Sequence, residues 1–320
     1  MNRNWLGIVF CLGLLASGGA AAQAFPEKPV RFIVPWTAGG GVDLHARMVA
    51  AKLSERLKQP VIVENKPGAA GIIGTEFVAK SPADGYTLIV GSPGNMSVNP
   101  VFNPSTPYNP VADFAPVGMS ARISNVLVVT PSLPAKTVSE FIELARSKPG
   151  ELTFGSSGQG SVLHLQMELL LLHTKTKMRH IPYKGTSQAV GDVVSGHTVS
   201  MIADPSVLPF VKAGKLRILG QITGTRSLAM PDVPTLAESG LPGFDAPSWY
   251  GFFAPANTPR AVVAKLNAEI NNVLKDPDLI RTMVAAGQDP APSTPQELGE
   301  YHSKEIALWK KVITEANIQQ

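Results

Sequence analysis

The sequence predicts an α/β protein built from two clusters of βα units. Its 320 residues are enough for two domains at roughly 100–200 residues per domain. Short apolar, β-branched runs alternate with segments of helical periodicity, which is typical of parallel sheets covered by helices. The runs fall into residues 25–124 and 125–224, and a mostly helical tail follows. We therefore predict a ligand cleft between the clusters, beyond the carboxyl ends of the strands.

The first cluster holds three short apolar runs, each followed by a change to glycine or to helical spacing. The predicted strands are residues 30–34, 61–63 and 86–90, with one helix after the glycines at 39–41 and another over residues 71–79.

The second cluster repeats this alternation. A capping box at residues 137–140 starts one helix, and a glycine- and serine-rich loop at residues 155–161 precedes another that is strongly apolar. The predicted strands are residues 125–130, 152–154, 180–183, 199–203 and 216–221.

The tail begins with an irregular Pro/Gly-rich stretch, residues 231–247, before a strand at residues 249–253. Pro259 stands at the first position of a helix, and a capping box at residues 294–297 starts the closing helix. The chain is expected to cross between clusters near Asn125 and again before Trp249. We assign residues 25–124 plus 225–320 to lobe 1 and residues 125–224 to lobe 2.

Residues 1–24 have the pattern of a cleaved secretory signal. Arg3 gives a short positive region, residues 5–16 an apolar one, and Ala22 and Ala24 fit the A-x-A cleavage site. The apolar run is shorter than the ~20 residues of a spanning helix. Cleavage would also remove Cys11, the single cysteine. An exported mature chain without a thiol needs no disulfide and carries no cysteine chemistry.

The charge pattern favours small anions over nucleic acid as ligands. The 28 Lys and Arg residues exceed the 24 Asp and Glu residues by four. The basic residues are scattered, with no run of five or more. A nucleic-acid footprint would cluster them on one face or along one helix.

Four strand-to-helix junctions share one chemistry. Each puts small or hydroxyl residues where a helix begins, so that free backbone N–H groups and the positive end of the helix dipole point outward together. Such a site binds a carboxylate or phosphate without a lysine. Because two junctions fall in each cluster, we predict an anion cleft. The junctions are residues 37–41, 91–95, 155–161 and 185–187.

The sequence lacks the residue spacing that the common enzyme motifs require. In the dinucleotide pattern G-x-G-x-x-G, Leu44 occupies the third glycine position after Gly39 and Gly41. There is no G-K-[ST] triplet, and in the hydrolase pattern G-x-S-x-G the fifth residue from Gly155 is Gln159. Ser161 and His164 are spaced i, i+3, which leaves an exported serine hydrolase as an alternative. No H-x-x-x-H or H-E-x-x-H spacing occurs, so we expect neither metal nor cofactor.

Four further residues lie where strands end or helices begin. Asp204 follows a strand at the edge that faces the cleft, where it could accept a bond from a ligand amine or amide, or cap Ser206. Trp36 and Tyr183 also end strands, and we favour Trp36 as a pocket wall. Asp43 lies in the first turn of its helix, where complementing the dipole is favoured over ligand contact.

Taken in order, the motifs of the chain resemble those of the Bug-type periplasmic solute-binding proteins of tripartite tricarboxylate transporters. The resemblance spans the whole chain after residue 24. The matching segments are residues 25–30, 34–43, 64–71, 83–88, 155–158, 182–185, 213–217, 231–236 and 249–255.

The resemblance implies a two-lobed periplasmic-binding-protein fold of type II-like form, with two inter-lobe crossovers, that closes on a carboxylate like a Venus flytrap. In such proteins backbone amides, hydroxyls and bridging waters hold one carboxylate, and some members have an acid at the position of Asp204 that reads the distal end of the ligand. Gly39, His164 and Tyr183 complete the candidate ligand-binding set. The residues that the resemblance carries over are Trp36, Thr37, Ala38, Ser92, Asn95, Ser156, Ser157, Ser161, Gly185 and Asp204.

Two departures from the family pattern bear on the ligand. Trp36 stands where Phe or Tyr is common, and Thr37 where a small residue or Pro is frequent. A larger flat wall suggests an aromatic or otherwise planar carboxylate, and a dicarboxylate is a second option. Pro205 follows Asp204, which puts its contact with the ligand in question.

The resemblance implies a non-enzymatic solute-binding protein in the periplasm of a Gram-negative bacterium. It would capture a small organic carboxylate and deliver it to inner-membrane permease subunits. We expect a monomer that binds no nucleic acid, metal or cofactor. The alternatives are an exported serine hydrolase and a ligand-sensing binding protein that feeds a signalling receptor.

Overall fold

The strands of the chain form two separate sheets in a computed structural model that describes residues 25–319. The expected signal segment, residues 1–24, lies outside the described residues. The strands are β1 (Val30–Val34), β2 (Val61–Asn65), β3 (Thr87–Gly91), β4 (Phe114–Ile123), β5 (Val126–Val129), β6 (Thr153–Ser156), β7 (Arg179–Pro182), β8 (Ser200–Ala203), β9 (Arg217–Gln221), β10 (Ser248–Pro255) and β11 (Asp289–Pro290).

Helices pack on the faces of these sheets, as the alternating apolar pattern predicts. The helices are α1 (Gly41–Leu57), α2 (Ile72–Ala79), α3 (Asn99–Phe102), α4 (Val138–Ser147), α5 (Val162–Thr174), α6 (Thr186–Ser195), α7 (Leu208–Lys212), α8 (Arg260–Val273), α9 (Pro277–Ala285) and α10 (Pro295–Glu315). Three short turns of other helix types span Ala69–Gly71, Pro93–Val98 and Pro205–Val207.

The two sheets share one topology. Within the described residues, the first sheet has the order β11-β4-β10-β3-β1-β2 and the second the order β7-β6-β8-β5-β9. β10 is antiparallel to both of its neighbours, β3 and β4. β5 is likewise antiparallel to β8 and β9. Each of these strands is the first one after the chain enters its sheet from the other, so the predicted two-lobed α/β fold is confirmed.

The chain passes between the sheets over very short connections. Only Ser124 and Asn125 separate β4 from β5. On the return, Ala246 N still donates to Ile222 O beside the second sheet at 2.9 Å, and β10 begins at Ser248. Such short links leave few backbone bonds about which the lobes could rotate.

The irregular segment before β10 packs on the second sheet, although we expected residues 225–246 in lobe 1. Leu236 N donates to Gln221 O at 2.8 Å. Leu236 and Phe244 are buried in the same cluster as Leu127 and Phe154. The segment has no regular hydrophobic period, so only these tertiary contacts reveal where it packs.

β4 is the largest element that the sequence pattern does not predict. It runs for ten residues and pairs with β10 across the middle of the first sheet. Proline inside a run argues against a central strand, and Pro116 lies opposite Phe253 where the register shifts. The irregular pairing accommodates the proline. α9 is also absent from the predicted elements, although Asp276 caps it by accepting from Asp278 N and Leu279 N.

Candidate functional site

A cleft of about 620 Å³ lies between the two sheets. Loops after β1 and β3 form one wall, and the loops after β6 and β8 form the other, so the carboxyl ends of the parallel strands meet here as predicted. The lining residues are Trp36, Thr37, Gly40, Gly41, Val42, Ala70, Ser92, Pro93, Gly94, Val98, Asn99, Phe102, Ile123, Asn125, Ser157, Gly158, Gln159, Gly160, Ser161, Val162, Leu163, Thr186, Asp204, Ser248 and Tyr250.

The candidate set divides into residues that line the cleft and residues that lie behind or beside it. The members that line it are Trp36, Thr37, Ser92, Ser157, Ser161 and Asp204. The members that do not are Ala38, Gly39, Asn95, Ser156, His164, Tyr183 and Gly185.

The side chain of Asp43, in the first turn of α1, holds the loop between β1 and α1 in place. Asp43 Oδ2 accepts from Gly39 N at 2.9 Å, and its Oδ1 accepts from Asn65 Nδ2 at 2.8 Å. Burial opposes its ionisation, but hydrogen bonds from Arg47, Gly39 and Asn65 together hold its pKa below the ordinary value. Asp43 is therefore an ionised support of the loop.

No side chain caps the start of α1. Gly40 is the N-cap residue and has no side chain that could accept from the first turn. The first N–H groups of a helix have no partner within the helix, and Gly40, Gly41 and Val42 all line the cleft. The positive end of a 17-residue helix thus faces the cavity.

The loop after β3 is held by Asn95 in a similar way. Asn95 Oδ1 accepts from both Ser92 N and Ser92 Oγ at 2.9 Å, and its Nδ2 donates to Thr75 Oγ1 at 3.0 Å. Asn95 is fully buried, so its amide orients Ser92 and does not face the cavity. Ser92 lines the cleft beside Pro93 and Gly94.

The loop between β6 and α5 supplies the facing wall. Ser156 is fully buried, and its hydroxyl donates to Gly158 O at 3.0 Å and lies 2.7 Å from His180 Nε2. Residues 157–161 line the cleft in front of it. Ser156 therefore shapes the loop, and Ser157 is the residue of the pair that reaches the cavity.

Ser161 and His164 are not arranged as a nucleophile and its base. Ser161 Oγ accepts from the backbone N of His164 at 3.3 Å and caps α5, while His164 Nδ1 accepts from Gly160 N at 3.1 Å. The His164 ring is buried and stacks on His180 with centroids 3.6 Å apart. The pair thus serves to hold the loop, and the geometry does not favour the hydrolase alternative.

Tyr183 lies behind the same wall. Its hydroxyl donates to Asp192 Oδ2 at 2.6 Å, and burial is the main reason that its pKa rises to about 12. Its ring packs beside Gly155, where an added Cβ would lie 3.3 Å from Cε2. Gly185 precedes α6 and does not line the cleft, whereas the next residue, Thr186, does.

Asp204 caps Ser206, which is one of the two roles that the sequence left open for it, and contact with a ligand stays a prediction. Its Oδ1 accepts from Ser206 N at 2.9 Å and caps a short helical turn. The residue also lines the cleft, on the side that the second sheet contributes. Burial raises the pKa of the Tyr250 phenol, and the Asp204 carboxylate raises it further, so this charge acts across the cleft on the first lobe.

Trp36 forms a flat part of the wall. Its ring packs on two glycines: a Cβ added at Gly94 would lie 3.1 Å from Cζ2, and one added at Gly71 would lie 3.3 Å from the same atom. A larger residue at either glycine would therefore need the Trp36 ring to shift by a few tenths of an ångström. Its indole Nε1 is buried and has no hydrogen-bond partner among residues 25–319.

Several lining residues are absent from the sequence-based set. Asn125 and Ser248 come from the two connections between the sheets, and Asn125 Nδ2 donates to Ser248 Oγ at 3.1 Å. Phe102 and Tyr250 add aromatic surface. The predicted crossing points are the one signal that could have placed Asn125 and Ser248 at the cleft, since connections between lobes border it.

The part of the chain that the structure describes shows neither a metal cluster nor a membrane-spanning helix. Within residues 25–319, no group of three or more His, Cys, Asp or Glu side chains is placed to hold a metal ion. No helix in the same range has the length and apolar character needed to span a bilayer.

The chain is similar to proteins of known family and structure. The family described as "Tripartite tricarboxylate transporter family receptor" matches residues 45–318. Protein BugT of Bordetella pertussis is 37% identical over 320 residues, with 98% of each chain covered. R. palustris Rpa4515, solved with adipate, is 37% identical with a TM-score of 0.79, covering 92% of this chain and 99% of that one. MatC of Rhodopseudomonas palustris, solved with bound malate, is 32% identical with a TM-score of 0.74, covering 90% and 100%.

Proposed function

The chain belongs to the tripartite tricarboxylate transporter receptor family, and we propose how this solute-binding protein, which is not an enzyme, holds a small organic carboxylate. The ligand lies in the cleft between loops of the two lobes. The observation that carries the proposal is the uncapped N-terminus of α1, which faces a cavity that both sheets border. Backbone N–H groups at a helix start bind anions without a basic side chain.

The proposed clamp consists of cleft-facing groups and their supports. Thr37 offers a hydroxyl group from the first lobe, where Ser92 also lines the cleft with its hydroxyl bonded to Asn95 Oδ1. Ser157, Ser161 and Thr186 offer further hydroxyls from the second lobe. Asn95, Ser156 and Gly39 are assigned to support, because their hydrogen bonds hold the loops in place, and Asn95 and Ser156 are also fully buried. Trp36 would supply a flat wall to the site. That the carboxylate is aromatic remains a prediction.

The cellular role follows from the family. Receptors of this family are periplasmic and work with a transporter, and we propose that residues 1–24 act as the export signal. The closed, ligand-bound form would then dock on the inner-membrane permease subunits as a monomer. We further propose that the boundaries between the two lobes lie at residues 124–125 and at residue 247. Residues 225–246 then belong to lobe 2, in keeping with their packing on the second sheet.

A thermal-shift panel of mono- and dicarboxylates, aromatic and aliphatic, tests the proposal. A ligand at about a hundred times its Kd stabilises the fold by about 2.7 kcal/mol, which raises Tm measurably. Thr37→Val and Ser157→Ala should weaken binding of every carboxylate, because each removes one cleft-facing hydroxyl. Ser147→Ala, an exposed serine outside the cleft, is the matched control. Shifts with sugars or cations but with no carboxylate would refute the proposal.

A further inference from the structure

One carboxyl group is buried in the protein interior without a cation. Glu305 lies in α10, and within residues 25–319 it forms no salt bridge. Its Oε2 accepts hydrogen bonds from Ser97 Oγ and from Trp249 Nε1, the second at 2.9 Å. A buried carboxylate without a positive partner is costly. Burial accordingly raises the pKa of Glu305 to about 7, although these bonds oppose the shift.

The second oxygen of this group has room for a proton. Oε1 is buried and accepts no hydrogen bond from any group in residues 25–319. Trp309 Nε1 is likewise buried and forms no hydrogen bond there, although its N–H still favours the ionised form of Glu305. A proton on Oε1 would therefore leave both hydrogen bonds to Oε2 in place.

Both donors to Oε2 belong to elements that form the wall of the cleft. Ser97 lies in the helical turn Pro93–Val98, and both ends of that turn line the cleft. Trp249 lies in β10 between Ser248 and Tyr250, which also line it. The carboxyl group itself does not line the cleft. Its charge thus lies behind the wall and is bonded to two of the elements that form it.

Other titratable groups surround Glu305 but do not set its pKa. They are Tyr301 and His302 of α10, Tyr250 of β10, Arg122 of β4 with its ion-pair partner Asp245, and His164 of α5 with its neighbour Glu168. Burial raises the pKa of Tyr301 and lowers that of His302, so both are neutral near pH 7. No charged group is among the causes of the Glu305 shift, which burial dominates.

We propose that capture of a carboxylate in the cleft is coupled to protonation of Glu305. The inference rests on the proposed function, since it requires an anion in the cleft. That anion and an ionised Glu305 are like charges on opposite sides of one wall, and the protein interior screens them weakly. Binding therefore favours the form of Glu305 in which Oε1 has taken a proton from the solvent, and protonation in turn strengthens binding. Glu305 is a positioning residue that touches no ligand.

Isothermal titration calorimetry between pH 6 and pH 8 tests the coupling. The probes are benzoate, hexanoate and terephthalate, which stay ionised over this range, in buffers of equal ionic strength. Their affinity should be at least about threefold lower at pH 8 than at pH 6. At neutral pH the heat of binding should differ between Bis-Tris and Tris in the sense of proton uptake. An affinity that stays constant from pH 6 to pH 8 would overturn the inference.

Glu305→Gln separates the charge from the shape of the side chain. The amide oxygen can still accept from Ser97 and Trp249, and a far-ultraviolet spectrum and Tm would verify the fold. The variant should lose the pH dependence and at pH 8 bind at least about threefold more tightly than the parent. A merely structural role predicts weaker binding at every pH. Glu300→Gln, at an exposed position on the same helix, should keep the parent's pH dependence.

Infrared difference spectra follow the proton directly. At pH 8, saturating ligand should increase the absorption of a protonated carboxyl group in the parent, and Glu305→Gln should show no such gain. The absence of this gain in the parent would refute protonation of Glu305.

The two proposals fail in different ways. If no carboxylate binds at any pH, capture itself is refuted and the coupling falls with it. If carboxylates bind equally at pH 6 and pH 8, capture stands and the coupling alone is refuted. A pH dependence that persists in Glu305→Gln would belong to another group, such as His164, and would also refute the role of Glu305.

Discussion

Buried titratable side chains link the stability of the fold to pH. His45 is fully buried between Gln288 Oε1 at 2.8 Å and Ser120 Oγ at 2.7 Å, and burial lowers its pKa to about 4. Burial and the neighbouring His164 lower the pKa of His180 to about 3. Glu305 behaves oppositely, because complete burial raises its pKa to about 7 although Ser97 and Trp249 donate to its Oε2.

These shifts predict a stability that rises from pH 5 and levels off near pH 7. An unfolded histidine takes up a proton below about pH 6.5. In the folded protein, His45 and His180 stay neutral until the pH falls to about 4 and 3, respectively. Their contribution is therefore present above pH 6.5 and is lost as pH falls toward 4 and 3. The contribution of Glu305 is present below pH 4.5 and is lost as pH rises through 7. Below pH 6.5 the two histidines outweigh the one glutamate.

Urea unfolding between pH 5 and 8 measures this dependence. The free energy of unfolding should rise from pH 5 to about 7 and then stay level to about pH 8. Glu305→Gln should make the rise steeper, because the amide takes up no proton in the folded state and no longer offsets the histidines. Glu300→Gln, an exposed position on the same helix, should leave the slope unchanged. A parent protein that is less stable at pH 7 than at pH 5 would contradict the assignment.

At the level of single residues, the sequence predicted which loops border the cleft but not which of their side chains face it. The motifs located the loops around Ser92 and Ser156 correctly, since glycine and hydroxyl residues at helix starts are visible in the sequence. They could not separate Ser92 and Ser157, which line the cleft, from Asn95 and Ser156, which are buried behind it. That division depends on which side of a loop each side chain takes, and packing decides it.

At the scale of elements, the β1–α1 loop depends on one carboxylate. Asp43→Ala would leave Gly39 N without its acceptor and Asn65 Nδ2 with one of its two acceptors, Trp36 O. Losing a buried partner of this kind costs about 1–3 kcal/mol, and the start of α1 would no longer be fixed against the cleft. We therefore expect a lower free energy of unfolding together with weaker carboxylate binding.

Urea unfolding and calorimetric titration of Asp43→Ala check both effects. Asp278→Ala is the matched control, because Asp278 forms an exposed ion pair with Arg281 on α9 and such pairs contribute about 0–1 kcal/mol. Binding by Asp43→Ala at the parent affinity would show that the loop keeps its shape without this support.

Elements with clear periodicity were predictable, and those set by pairing were not. The parallel strands β1, β3 and β8 are short apolar runs, so their positions follow from pattern alone. β4 contains Pro116 and Gly118 and is a strand because β10 pairs with it. Pairing partners distant in sequence carry no local signal, which is why β4 escaped prediction although its partner β10 was predicted.

In the whole molecule, α10 is attached to both lobes. Leu298 near its start is buried with Trp249 and Phe253 of the first lobe. Trp309 and Val312 near its end are buried with Phe154 and Leu163 of the second. Together with the two short connections at residues 124–125 and 247, this helix links the two lobes at a third place.

Closure on the ligand can be measured with two labels. The single cysteine, Cys11, lies in residues 1–24, so cysteines placed after residue 24 can be labelled selectively in the mature chain. Ile73→Cys on α2 and Ser187→Cys on α6 are exposed and follow the cleft residues Ala70 and Thr186. Saturating carboxylate should shift the spin–spin distance between them to shorter values and narrow its distribution, because the ligand joins loops of both lobes.

Ile73→Cys with Val111→Cys, both on the first lobe and exposed, should keep an unchanged distance. If the first pair is equally insensitive to a ligand that raises Tm, capture occurs within a preformed closed cleft and the hinge plays no part.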